Sequence, residues 1–213
     1  MIERAHGLIL RTRPFTETSL IVNWLTPELG RISTVAKGAR RSKSPFRGKL
    51  DLFYEANFSF QRSRRSELHT LREVSLLETH TALRHELGHL QQASYCATLI
   101  EQTTERETPL PGIFELMRSF LQSLAQRPPQ PRNIFAFELK LLHELGLLPD
   151  PKQSKLTPGA KKILAEFVIQ DWSILLRLKL SVPQAKEIQQ FLHGFLVYHL
   201  GKIPLGRAGA LND

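Results

Sequence analysis

A single cysteine, Cys96, stands in the 213 residues. An intrachain disulfide is excluded, and so is a four-cysteine zinc knot. That scarcity fits a reducing compartment. No uninterrupted apolar run approaches the ~18 residues that a membrane-spanning helix needs. The opening residues Met1-Ile2-Glu3-Arg4 lack the basic-then-apolar pattern of a secretory leader, so a cytoplasmic location is expected. G-x-G-x-x-G, Walker-type and G-x-S-x-G sequences are missing too, which removes the common phosphate cradles and the nucleophile elbow. Acidic residues are scarce: 20 Asp and Glu stand against 29 Lys and Arg, giving a formal charge of +9 and a pI near 10.0. A surplus of that size calls for a polyanionic partner, either nucleic acid or an acidic membrane surface.

The surplus is uneven. Residues 1–75 hold fourteen basic and seven acidic side chains, a net +7, and the remaining 138 residues contribute only +2. The polyanion contact therefore belongs to the first third of the chain.

Up to about residue 77 the hydrophobic pattern has period two. Tyr54, Ala56, Phe58 and Phe60 alternate with Glu55, Asn57 and Ser59, the mark of a half-buried strand. Leu20, Val22 and Trp24 alternate similarly, with Ile21 breaking the polarity, and 2–10, 30–36 and 68–75 also read as strands. Arg13-Pro14, Thr26-Pro27 with Gly30, and Ser44-Pro45 with Gly48 supply the turns. Five short strands in this space predict a small closed barrel of the OB type.

Beyond residue 77 the period becomes helical. Leu83, Leu87, Leu90, Ala93, Ala97 and Ile100 form one face, Ile113 to Leu124 a second, and Ile134 to Leu145 a third that Gly146 closes. Thr157-Pro158 reads as an N-cap before an N1 proline, and Ser181 with Gln184 as a capping box. The stripe Ile188, Phe191, Leu192, Phe195, Leu196 and His199 follows, and residues 206–213 are expected to fray. The fold class is thus α+β: an OB-fold barrel over 1–77, then a helical domain over 78–213.

Arg31, Lys37, Arg40, Arg41, Lys43, Arg47 and Lys49 fall within nineteen residues that contain no acid. Gly38, Ser42, Ser44, Pro45 and Gly48 make the middle of that stretch a loop, from which cations and backbone N–H groups reach phosphates at many angles. Phe46 either stacks on an unpaired base or plugs the barrel mouth. Arg11 and Arg13 after the first strand extend the basic path, and Arg62, Arg64 and Arg65 are either a further extension or a plain hairpin tip.

His85-Glu86-Leu87-Gly88-His89 matches H-E-x-x-H on a predicted helix, where histidines four apart face one zinc and the glutamate activates its water. The extended pattern is broken, since Gln92 and Tyr95 occupy the positions for the further Gly and His. Arg84 adds a cation beside the site. A zinc-dependent hydrolase is therefore a remote alternative, and an OB-fold RNA-binding protein a nearer one. Cys96, between Tyr95 and Ala97, reads as a buried structural thiol.

The stretches 7–22 (GLILRTRPFTETSLIV), 25–44 (LTPELGRISTVAKGARRSKS) and 68–73 (LHTLRE) resemble the RecO family of bacterial recombination mediators, and 139–149 and 190–201 match it more weakly. The resemblance implies DNA repair and homologous recombination without enzymatic chemistry. It also implies binding to single- and double-stranded DNA, annealing of complementary strands, and assistance to RecA loading together with RecR. It implies a nucleoid-associated location in a bacterium. A further implied partner is the acidic C-terminal tail of single-stranded-DNA-binding protein. On the last helix Phe191, Phe195 and Leu196, with Lys186, Lys202 and Arg207 around them, are the expected docking residues for that tail. Many family members carry a four-cysteine zinc finger after the segment matching 147–150. Here 151–155 bridges that gap without cysteine, so no zinc and no other cofactor are expected.

Overall fold

Five strands close into a barrel in the order β1-β2-β3-β5-β4. The structure is a computed structural model that describes residues 1–126, 128–150, 154–175 and 177–212. The strands are β1 (Ile2–Pro14), β2 (Leu20–Thr26), β3 (Gly30–Ala36), β4 (Glu55–Gln61) and β5 (Leu68–Glu78). β1 is long enough to serve two neighbours. Its first half pairs with β4 from Ile2↔Gln61 to Leu8↔Glu55, and its second half pairs with β2 from Leu8↔Leu25 to Pro14↔Leu20, with a bulge between Ile9 and Arg11. Closure comes from the parallel pairing of β3 with β5, Ser33↔Leu68 to Val35↔Thr70. Bulges of this kind bend a strand around a barrel corner.

The predicted alternation fills the barrel. Val22, Trp24, Ile32, Phe58, Phe60, Leu71 and Val74 point into one buried cluster. Trp24 stacks on Phe58 at 4.0 Å between ring centres, and its indole N–H donates to Thr34 Oγ1 at 2.9 Å. Ile21 breaks the alternation because it is buried beside Val22, as Leu8 and Leu10 are beside Ile9.

The compact unit around the barrel comprises Met1–Thr81 together with Thr104–Arg118. Residues from the second segment lie against the barrel's outer wall. His6 meets the edge of the Phe114 ring at 5.1 Å, and its Nε2 lies 2.7 Å from Glu55 Oε1. At Gly30 the backbone has φ +65°, and a Cβ would come within 2.0 Å of the Thr108 carbonyl oxygen, so this turn admits only glycine.

The second unit, Ala82–Thr103 with Ser119–Asp213, is helical. Its elements are α1 (Leu87–Thr103), the later part of α2 (Pro111–Leu124), α3 (Pro131–Glu144), α4 (Pro158–Ile169), α5 (Trp172–Leu175), α6 (Val182–Leu200) and α7 (Arg207–Ala210). The local signals hold. Thr157 Oγ1 accepts from the Ala160 N–H, and Ser181 and Gln184 form the reciprocal capping box. After α3, Gly146 takes φ +69°; its N–H bonds His143 O, and Leu147 N–H bonds Leu142 O at 2.8 Å, a Schellman closure.

α3 is buried from Asn133 to Leu142 except at half-buried Lys140, and Phe135, Ala136 and Leu139 pack on Leu164, Phe167, Ile188 and Leu192. The expected fraying of 206–213 is corrected. α7 is folded, with Arg207 and Ala210 buried, and Asp213 lies outside the described residues. Ala210 O accepts from Gln92 Nε2 at 3.1 Å, which ties this terminal turn to α1. Of the cysteine-free bridge 151–155, residues 151–153 lie outside the described residues. No described helix is long and apolar enough to cross a membrane.

Candidate nucleic-acid interface

β3 ends at Ala36, and the chain then runs through consecutive tight turns before β4 begins. Backbone N–H groups of Ala39, Arg41, Ser44, Arg47 and Lys49 each donate to the carbonyl three residues earlier, at 3.0 to 3.3 Å. Gly38 and Gly48 adopt φ near +70°, a region disfavoured for residues with a Cβ. The basic loop is therefore an ordered chain of turns. It is tied to the β1–β2 turn as well: the Arg40 N–H donates to Thr18 O at 2.9 Å, and Arg40 Nη1 lies 3.3 Å from Thr16 O.

Phe46 settles one open alternative. It is 7% exposed and belongs to the barrel's hydrophobic cluster, so it plugs the mouth and anchors the loop instead of offering a stacking face. The cations around it point outward. Lys37, Arg40, Arg41, Lys43 and Arg47 are exposed and Lys49 is half-buried. Among the described residues no carboxylate pairs with any of these six. Arg40, Arg41 and Arg47 edge a cleft of about 340 Å³ whose floor includes Leu20 and Phe46. Unneutralised cations this close repel one another, and an anion seated among them relieves the repulsion.

Strand register brings Arg13 to the same end of the barrel. Arg13 pairs with Ile21, which pairs with Val35. Arg11, two residues earlier, is exposed on the same strand. Arg31 stands apart from the cluster it was grouped with. It lies at the start of β3, and six residues of strand span about 20 Å to Lys37. Its guanidinium is half-buried, with Nε donating to Thr104 Oγ1 at 2.7 Å and Nη2 donating to the Thr104 carbonyl. Sequence proximity suggested a phosphate contact, but the side chain is spent on holding Thr104.

On the β4–β5 hairpin, Arg62 is likewise engaged. It donates to both oxygens of Glu3, at 2.7 and 3.0 Å, and to Glu107 Oε2 at 2.8 Å. The hydrogen bond from Arg62 holds the Glu3 carboxyl below the ordinary carboxylate range, and the same bond raises the guanidinium. Arg64 and Arg65 at the tip are exposed.

The H-E-x-x-H pentapeptide does not lie on one helix. α1 begins at Leu87, leaving His85 and Glu86 exposed in the bend before it, while His89 is buried in the first turn. Residues i and i+4 share one face only where helix runs through all five positions. Cys96 is fully buried, and desolvation, followed by the Glu138 charge, pushes its thiol well above the usual range.

The docking residues expected on α6 divide. Leu196 is 0% exposed and belongs to the core, Phe191 and Phe195 are half-buried, and Lys186 and Lys202 are exposed. Arg207 is no surface cation: it is 5% exposed and gives Glu138 two hydrogen bonds, Nε at 2.7 Å and Nη2 at 2.9 Å. A different groove of the helical unit combines apolar walls with cations. Phe135, Leu180 and Val182 line it together with Arg132, Arg177 and Lys179, in a volume of about 870 Å³. Spacing along the chain had not joined the start of α3 to the residues before α6.

Comparison with known proteins returns matches across this architecture. Residues 1–80 match the family model described as recombination protein O N terminal, and residues 84–153 match that described as recombination protein O C terminal. The DNA repair protein RecO of Anaeromyxobacter dehalogenans strain 2CP-C is 34% identical over 92% of this chain and 91% of its own length. The protein of the same name from Bacillus pumilus strain SAFR-032 is 29% identical over 95% of this chain and 81% of its length.

Proposed function

This chain belongs to the RecO family, and from that premise we propose that it is a non-enzymatic DNA repair and recombination mediator that anneals complementary strands and assists RecA loading with RecR. The observation that carries the reading is the ordered loop 37–49 on an OB-type barrel, with six cations and no carboxylate partner among the described residues. Annealing is opposed by repulsion between two phosphate backbones. A cation array that displaces condensed counterions lowers that barrier, and no bond is made or broken. A fixed array loses less entropy on binding than a floppy one would, and Phe46 together with the ladder of turns provides that fixity. The test is annealing of two complementary strands, bare and then coated with single-stranded-DNA-binding protein. The purified protein is expected to accelerate both without nucleotide hydrolysis. Unchanged annealing of both would contradict the reading.

Docking of the acidic, apolar tail of single-stranded-DNA-binding protein is better matched by the groove lined by Phe135, Leu180, Arg177 and Lys179 than by the face of α6. The groove combines apolar walls with three cations, Arg132, Arg177 and Lys179, against one carboxylate, Glu86, a net positive lining of the kind an apolar peptide ending in a carboxylate requires. Arg177→Glu with Lys179→Glu is expected to weaken tail-peptide binding by about tenfold, given ~1 kcal/mol or less for each exposed ion pair. DNA binding should stay close to its original strength. Undiminished peptide binding would return attention to Lys202 and the half-buried phenylalanines of α6.

A further inference from the structure

A second basic cleft lies beside the loop. In the barrel β3 has β2 on one side and β5 on the other. The cleft already described opens towards β2, with Leu20 on its floor. The second, of about 620 Å³, opens towards β5 and β4, and its wall carries Lys37, Arg62, Arg64, Arg65 and Arg72. No carboxylate lines it among the described residues. The acids nearest in the fold are already engaged. Glu3 and Glu107 hold Arg62, and Glu67 pairs with Arg106 at 2.5 Å. Arg72 donates to the neutral Gln61 side chain, which supplies no counter-charge. Lys37, Arg64, Arg65 and Arg72 therefore face the cleft with no counter-charge. Its hairpin wall is ordered: Ser63 Oγ accepts from the N–H groups of Arg65 and Ser66 at 3.3 and 3.2 Å.

We propose that this cleft is a second phosphate-backbone track, occupied by the complementary strand while the loop cleft holds the first. The proposal rests on the annealing reading above and adds to it where the second strand lies. Adjacent strands of a sheet are about 4.8 Å apart, so β2 and β5 are separated by roughly 10 Å across β3. The loop cleft and the second cleft thus lie on the two flanks of β3, side by side on one barrel. Lys37 begins the loop and also lines the second cleft, so it offsets repulsion where the backbones come closest. A single-track protein would leave the incoming strand to meet the first one without cationic support.

The test uses the full chain, a labelled single strand and its complement. Arg64→Glu with Arg65→Glu changes two exposed side chains, and unchanged thermal melting would establish that folding is kept. That variant is expected to bind one strand within about threefold of the original, because screening limits its influence on the neighbouring track. Its annealing rate is expected to fall on the order of tenfold or more as counterion release on the second track is lost. Arg64→Lys with Arg65→Lys should restore annealing, since it keeps the charges. Arg41→Glu with Arg47→Glu, on the first track, should lose both strand binding and annealing. Normal annealing by Arg64→Glu with Arg65→Glu would overturn the proposal. So would a loss of single-strand binding as deep as the loop variant's, which would indicate one continuous path. If the unmodified protein fails to anneal, the annealing reading falls first and the second track falls with it.

Discussion

Reversing four loop charges, with Arg40→Glu, Arg41→Glu, Lys43→Glu and Arg47→Glu, is expected to lower affinity for single-stranded DNA by a factor on the order of 10² to 10³ near 0.1 M salt. Each phosphate contact on a single strand releases about 0.7 of a counterion, so each contributes roughly 0.7 log unit between 0.1 and 1 M salt. Four contacts sum to nearly three log units. The substitutions should leave the barrel intact. All four side chains are exposed, and the anchor of the loop is Phe46 with the backbone ladder, neither of which changes. Thermal melting checks that point separately from binding. A loss below about threefold would mean that the loop is a solvated surface and that the affinity comes from other cations.

The second large effect concerns stability. Glu138 is 0% exposed and accepts three hydrogen bonds: from the Tyr95 hydroxyl at 2.6 Å and from two guanidinium nitrogens of Arg207. Burial, then the Glu138 charge, pushes the Tyr95 phenol far above its ordinary range. For Arg207 burial works to lower the guanidinium, and the hydrogen bond and charge of Glu138 outweigh it, leaving the group raised.

Arg207→Ala therefore strands a carboxylate in the interior, at an expected cost of about 3 to 5 kcal/mol. At roughly 2 to 4 °C per kcal/mol for a chain of this size, the melting midpoint should drop on the order of 10 °C. Replacing both partners, Glu138→Leu with Arg207→Met, should cost much less, because no charge is left unpaired. If Arg207→Ala melts like a surface substitution, the buried pair is not what anchors α7. A practical consequence follows for the α6 surface: Lys202→Glu probes it cleanly, whereas any change at Arg207 perturbs the core.

Much of the barrel was readable because its signals are local. Alternation gave β2 and β4, glycine and proline gave the turns after β2 and β3, and the caps at Thr157, Ser181 and Gly146 sit where short-range hydrogen bonding requires. The turn expected at Arg13-Pro14 is corrected: both residues, with Arg11, lie within β1, which continues past Leu10 because Arg13 and Pro14 pair with Ile21 and Leu20 of β2. The basic loop was readable for the same reason, since seven cations without an acid leave a mark in any nineteen-residue window.

The failures share a cause as well. Arg31 is captured by Thr104, 73 positions away, and Arg207 by Glu138, 69 positions away. A charge pattern along the chain does not reveal which cations meet distant partners. At the H-E-x-x-H pentapeptide the difference is one of helix start: the apolar period runs from Leu83, whereas α1 starts inside the motif at Leu87. Phe46 was ambiguous because an aromatic in a basic loop suits a base stack and a barrel plug equally, and only the closed barrel decides for the plug.

The central claim is that an ordered, unneutralised cation loop grips the nucleic-acid backbone. Its most direct test is the dependence of single-strand affinity on salt. With about four to six loop cations on phosphates, log K should fall against log salt with a slope of roughly −3 to −4, and the four-charge variant should flatten that slope towards zero. A slope near zero for the unmodified protein, or an equally steep slope after reversal of the loop charges, would contradict it.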